Sequence, residues 1–222
     1  MNLKYPSSFP VFLIGTSGTG LRALRFLAEH IPSSFPSPLF FLLHRVKGSE
    51  LQRSILNVIN TYSQLEVCVP QDGQEVQPST IYVPPVDEHL ILEGKTMILT
   101  KEPADTRWRP SIDTLLISGA RSYRTAAVSV LLSGGLDDGI EGLREITRQG
   151  GVTIAQSPDD AYNPVLPLNA LLKDHPSYVL PLNDMPALFC ELAGHNYFPD
   201  QSSIIQKAAL TAARKRKEVQ EK

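Results

Sequence analysis

The stretch Val11–Leu21 limits what this chain can fold into more than any other. Four apolar residues, Val11 to Ile14, end abruptly in Gly15-Thr16-Ser17-Gly18-Thr19-Gly20, and helical spacing of apolar residues starts at Leu21. A short apolar run followed at once by turn chemistry predicts a strand covered on both faces. Glycine suits the tight turn because it has no Cβ to collide with the returning backbone. Two uses fit such a turn. Ser17 can be a nucleophile raised above the sheet end, or the glycines can cradle a phosphate at the helix start. The turn alone does not choose between them.

The remaining chain repeats this alternation. Leu39–Leu43 is a second wholly apolar run and ends directly at His44. Ser49–Tyr62 reads as a helix with Ser49 as its N-cap. Short strand-like pieces follow at Leu65–Val69, Thr80–Val83, His89–Leu92 and Thr96–Leu99, separated by turn residues, and Glu93-Gly94 fits a tight hairpin. Ser111–Tyr123 is a helix, Ala126–Leu132 a buried strand, Ile140–Gln149 a helix and Val152–Ala155 a strand. A loop rich in Pro and Asp precedes a last strand at Tyr178–Leu180 and a helix at Pro186–Ala193. The order predicts an α/β fold: a doubly wound, mainly parallel, Rossmann-like sheet with an antiparallel hairpin insertion around 65–99. Residues 1–10 form an extension and 11–195 the domain. Residues 196–222 form a helical basic tail, expected to be docked at its start and frayed at its end around Arg214, Lys215, Arg216 and Lys217, the alternative being a basic arm that binds a partner.

A net charge of −2 over 222 residues argues against a nucleic-acid partner, which needs a strongly basic face. Two cysteines, Cys68 and Cys190, make no disulfide framework and suit a reducing cytoplasm. Met1–Pro10 holds no signal core, and no apolar run is long enough for membrane insertion.

Ser17, His44 and Asp138 each lie just beyond the carboxyl end of a predicted buried strand, where doubly wound sheets bind ligands. Taken singly, each has an ordinary structural use as a turn former, a hydrogen-bonded histidine or an N-cap. Together they supply a hydroxyl, a base to take its proton and a carboxylate to orient that base. The order Ser…His…Asp differs from that of the common lipase-esterase fold, and the turn is not a strict G-x-S-x-G.

The motifs resemble those of the catalytic domain of chemotaxis protein-glutamate methylesterases, the CheB family. That pattern is G-[AT]-S-x-G-G after a strand, a strand ending in H, R-P-S-V-D, T-G-M-G-x-D-G after a strand, and G-G-x-T-I-A-Q. Here it stands as Gly15–Gly20, Leu43-His44, Arg109-Pro110-Ser111-Ile112-Asp113, Ser133–Gly139 and Gly150–Gln156. Tyr82–Leu90 is similar to the family's I-A-P-G-x-x-H-L. The likeness is collinear from about Val11 to Ala193.

The resemblance implies a triad of Ser17 as nucleophile, His44 as general base and acid, and Asp138 as orienting carboxylate. Gly18 and Gly135 are implied oxyanion donors, and His89 and Arg109 implied pocket residues. The implied reaction is hydrolysis of glutamyl methyl esters, with deamidation of glutamines, on cytoplasmic helices of chemoreceptors. No metal or cofactor is implied. The receiver domain that usually precedes the module has no counterpart here, so the enzyme is expected either to be constitutively on or to be controlled by another protein such as a separate response regulator. Departures are Gly18 for the usual Thr, Gly135-Leu136 for Met-Gly, Arg45–Glu50 after the histidine, and Trp108 before the arginine. Leu136 is expected to need a changed turn if the family glycine has positive φ. Two rival readings stand beside this one. One is an inactive module that binds receptors or a signalling partner. The other is a nucleotide-binding domain using Gly15–Gly20, although His44 stands where such folds carry an acidic residue.

Overall fold

The computed structural model describes residues 9–18, 20–44, 51–103, 108–195 and 202–220. Ser49 as a helix cap, Thr19 of the Gly-rich turn and the Arg45–Glu50 segment lie outside these.

Seven parallel strands form one sheet in the order β3-β4-β2-β1-β7-β8-β9. They are β1 (Val11–Thr16), β2 (Leu39–Leu43), β3 (Glu66–Cys68), β4 (Thr80–Tyr82), β7 (Ala127–Leu131), β8 (Val152–Gln156) and β9 (Tyr178–Leu180). The apolar runs explain the centre. Every residue of β1, β2 and β7 is buried, as parallel strands sandwiched between helices require. Side chains of β1 alternate between the two layers. Phe12 and Ile14 join a core with α1 (Leu21–His30), α2 (Leu51–Tyr62) and α6 (Met185–Leu192). Val11 and Leu13 join the opposite core with α3 (Ile112–Tyr123), α4 (Ile140–Arg148) and α5 (Val165–Lys173).

The antiparallel hairpin is narrower than the spacing of turn residues predicts. Among the described strands, β5 (His89–Glu93) and β6 (Thr96–Thr100) are the pair that runs antiparallel. The pieces at 65–69 and 80–83 supply β3 and β4, which run parallel to β2. Short apolar pieces between turns carry no direction; the connection decides it. Here 69–79 crosses over and bonds to the hairpin on the way, with the Val76 amide donating to Lys95 O at 2.7 Å. The hairpin is bound to α3 by two serines. Ser118 Oγ accepts from the Leu92 amide at 3.1 Å, and Ser122 Oγ donates to Leu92 O at 2.7 Å.

Helix α5 occupies part of what reads as a Pro/Asp-rich loop. Its Pro167 falls in the first turn, where an N–H has no partner within the helix, so proline costs nothing there. The C-terminal helix α7 (Ser202–Gln220) packs along β9 and α5. Ala208 and Ala212 are buried, and Lys215 pairs with Asp159 and, at 3.2 Å, with Glu218. The basic run is thus docked where fraying is expected.

Candidate active site

Parallel pairing brings the sequence-predicted residues to one rim. Thr16 pairs with Leu43 across β1 and β2, so Ser17 and His44 each begin the loop beyond adjacent strand ends. The His44 amide donates to Thr16 O at 3.0 Å. On the other side of β1, the loop after β7 is stitched to the serine turn. Thr16 Oγ1 donates to Ser133 O at 2.6 Å, and the Gly135 amide donates to Ser17 Oγ at 3.1 Å. Gly134 permits that approach, because a Cβ there would stand 3.1 Å from Ser17 Oγ and 3.0 Å from Leu166. Gln156 Oε1 accepts from the Ser133 amide at 2.9 Å, and the Gly134 amide donates to Asn163 O at 3.0 Å. The donor loop is therefore tied to β8 and to the lead-in of α5.

Asp138 is nine-tenths buried at the start of α3. Its carboxylate accepts from the Ile112 amide at 2.7 Å, the Asp113 amide at 3.0 Å and Ser111 Oγ at 3.0 Å. The fourth partner is His44, through Nε2. Burial by itself raises the carboxyl's pKa, but the hydrogen bond and charge of His44, with the Asp113 and Ile112 amides, hold it below the ordinary carboxylate range. An anionic Asp138 accepts a hydrogen bond from Nε2–H, which assigns the lone pair of a neutral ring to Nδ1. Nδ1 is buried and makes no hydrogen bond among the described residues. Trp108 stacks on the ring at 5.1 Å between centroids and 16° between planes. The imidazole is thereby held by a carboxylate at its edge and an indole on its face. The structure joins His44 to Asp138 and Ser17 to Gly135, and it makes no hydrogen bond between Ser17 Oγ and His44 Nδ1.

The other predicted residues fall in two places. Gly18 sits in the turn closed by the Gly20 amide on Ser17 O at 2.7 Å, with open space where its Cβ would be. His89 and Arg109 lie on the Ser111 side of Asp138. His89 is fully buried, and its Nδ1 accepts from the Ser111 amide at 3.3 Å. Burial, then the Arg109 charge, lowers its pKa and keeps it neutral. Arg109 pairs with Asp87 at 3.3 Å. Both brace the segment that holds Asp138.

Leu136 is accommodated without positive φ; within 133–139 only Gly139, at φ +108, takes that conformation. Residue-by-residue reading missed Asp113. Its Oδ1 accepts from the Gly142 amide at 2.7 Å. Burial, with the Asp138 charge beside it, pushes the carboxyl up to about 7 against the Gly142 and Gly139 amides, which favour ionisation. The signal for it was the whole R-P-S-I-D motif, whose serine reads from the sequence only as the start of a helix. Ser111 does cap α3, accepting from Thr114, and also donates to Asp138. Among the described residues no group of three His, Cys, Asp or Glu is placed to hold a metal ion, and no helix is long and apolar enough to cross a membrane.

The fold is that of a doubly wound α/β domain, with a serine, a histidine and a carboxylate in the loops beyond neighbouring strand ends, where such sheets bind their ligands. The CheB methylesterase family profile matches residues 12–189, and the chain belongs to that family. It is 28% identical over 186 residues to a protein-glutamate methylesterase/protein-glutamine glutaminase of Thermotoga maritima, covering 82% of this chain and 54% of the relative. It is 32% identical to the protein-glutamate methylesterase FrzG of Myxococcus xanthus, covering 83% of this chain and 55% of the relative. The chain thus spans about half the length of these relatives. The crystal structure of the T. maritima CheB methylesterase catalytic domain superposes with a TM-score of 0.79 at 28% identity, covering 84% of this chain and all of that one.

Proposed function

We propose that this chain is a serine esterase that hydrolyses γ-glutamyl methyl esters, and deamidates glutamine side chains, on the cytoplasmic helices of chemoreceptors. The observation that carries the reading is the held imidazole. His44 is bonded to Asp138 through Nε2, and its buried Nδ1 is left to take a proton at the strand end next to Ser17. Ser17 Oγ, turned to Nδ1, attacks the ester carbonyl as its proton passes to His44. The Gly135 amide, already on the serine oxygen, and the Gly18 amide serve the developing oxyanion. His44 returns the proton to the methoxy oxygen, which leaves as methanol, or to the amine, which leaves as ammonia. Water then gives a proton to Nδ1 and attacks the acyl carbon, forming the glutamate carboxylate and restoring Ser17. Asp138 stays ionised and stabilises the imidazolium in both halves. None of these steps calls for a metal or cofactor. The setting is the cytoplasm.

Methanol release from methylated receptor tests this directly. Ser17→Ala is expected to lower the rate by about three orders of magnitude or more. Equal release by the variant overturns Ser17 as nucleophile. Receptor binding without methanol release by the unaltered chain favours a binding module instead.

A further inference from the structure

A second cavity, of about 480 Å³, opens beside the proposed nucleophile and is lined by Gly18, Leu21, Arg22, Arg25, Val58 and Tyr162. It shares no residue with the cavity around Asp138 and Trp108. Arg22 and Arg25 are three residues apart on α1 and so face the same side. Arg22 is exposed and makes no ion pair among the described residues. The Arg25 guanidinium lies 3.9 Å over the Tyr62 ring, which fixes its plane, and stands 3.8 Å from Glu29.

Two features set these arginines apart from ordinary surface charge. They occupy the first and second turns of α1, the end of a helix where cations are disfavoured, and no acidic residue offsets them in that first turn. The chain as a whole carries a net charge of −2, so the pair does not belong to a broadly basic surface. Arg25 has Tyr62 and Glu29 as partners, whereas Arg22 makes no ion pair among the described residues, and a bound anion would serve both guanidinium groups and the helix terminus together. Leu21 and Val58 add an apolar floor, and Tyr162, 78% exposed, an aromatic wall. That mixture suits a peptide carboxylate on its aliphatic stem better than a bare inorganic ion.

We propose that this cavity is a specificity subsite for an acidic peptide. Arg22 and Arg25 hold the carboxylate of a second acidic residue on the substrate while the ester side chain reaches Ser17. The inference rests on the esterase reading above and names the kind of sequence that this site selects.

Two synthetic helical peptides test it, each with one glutamyl methyl ester and either Glu or Gln one helical turn away. With the full chain, kcat/KM for methanol release is expected to favour the Glu peptide by about tenfold, mostly through KM. The Arg22→Gln/Arg25→Gln variant is expected to bring that ratio to about one and to leave hydrolysis of the Gln peptide unchanged. The preference should also shrink with added salt. Equal rates on both peptides by the unaltered chain, or a preference that survives in the double variant, overturn the subsite. Binding of the same peptides to Ser17→Ala separates this failure from that of the esterase. Tighter binding of the Glu peptide that disappears on replacing both arginines upholds the subsite even if no methanol is released. Equal binding of the two peptides refutes it.

Discussion

Asp113 and Asp138 are two carboxyls of one site with opposite tendencies. Asp138 has four donors and stays ionised, whereas Asp113, buried beside that charge, holds its proton up to about 7. The two contribute to stability with opposite sign. For Asp138, with its folded pKa depressed, stability is present above the unfolded carboxylate range and is lost as pH falls. For Asp113 the folded pKa is raised, so stability is fully present below the unfolded value and is lost as pH rises through about 7. Asp113→Asn keeps an acceptor for the Gly142 amide and removes the titration. Its stability relative to the unaltered chain is therefore expected to improve by about 1–3 kcal/mol between pH 4 and pH 8. Urea midpoints across that range check it, and a gap independent of pH would contradict the raised carboxyl.

At the scale of elements, α3 and α4 cap each other. Asp138, from the loop that leads into α4, accepts the first amides of α3, and Asp113, from the first turn of α3, accepts the Gly142 amide of α4. The exchange places both carboxyls at helix N-termini, where they accept from amides that have no partner within the helix. It works only because Gly139 turns the chain with φ +108 immediately after Asp138; an added Cβ there would meet Ile112 and Leu131 at 2.8 Å. Gly139→Ala is therefore expected to destabilise the fold by about 2 kcal/mol or more. Methanol release should fall further than the loss of folded protein explains, because the displaced turn carries Asp138, the partner of His44. Chemical denaturation and activity on the same samples separate the two effects.

Across the whole molecule, α7 closes the open edge of the sheet. It lies against β9, sends Ala208 into one core layer and Ala212 into the other, and bonds Arg216 to Pro176 O. A bare parallel edge strand would expose unpaired backbone groups, so this helix protects against association as well as adding core. Ala212, 1% exposed, tests the docking. Ala212→Asp is expected to lower stability by about 2–4 kcal/mol and to promote aggregation, read by thermal unfolding and light scattering. A helix frayed over this stretch would leave both unchanged.

Local chemistry made much of this readable in advance. Continuous apolar runs marked β1, β2 and β7, and the turn residues behind them marked the places of Ser17, His44 and Asp138, because burial on both faces and chain reversal leave their signature within a few neighbouring residues. Ser111 at the start of α3 was legible for the same reason. The direction of β3 and β4 was not, since a short apolar piece reads alike either way and its crossover sets the outcome. Nor was α5, whose proline means a loop until it is known to sit in a first turn. The burial of Asp113 beside Asp138 and the docking of the basic helix depend on residues distant in the chain. Sequence alone determined which residues stand at strand ends. Only the lateral order β2-β1-β7 decided that those ends are neighbours, because strand pairing joins segments through contacts that no local pattern encodes.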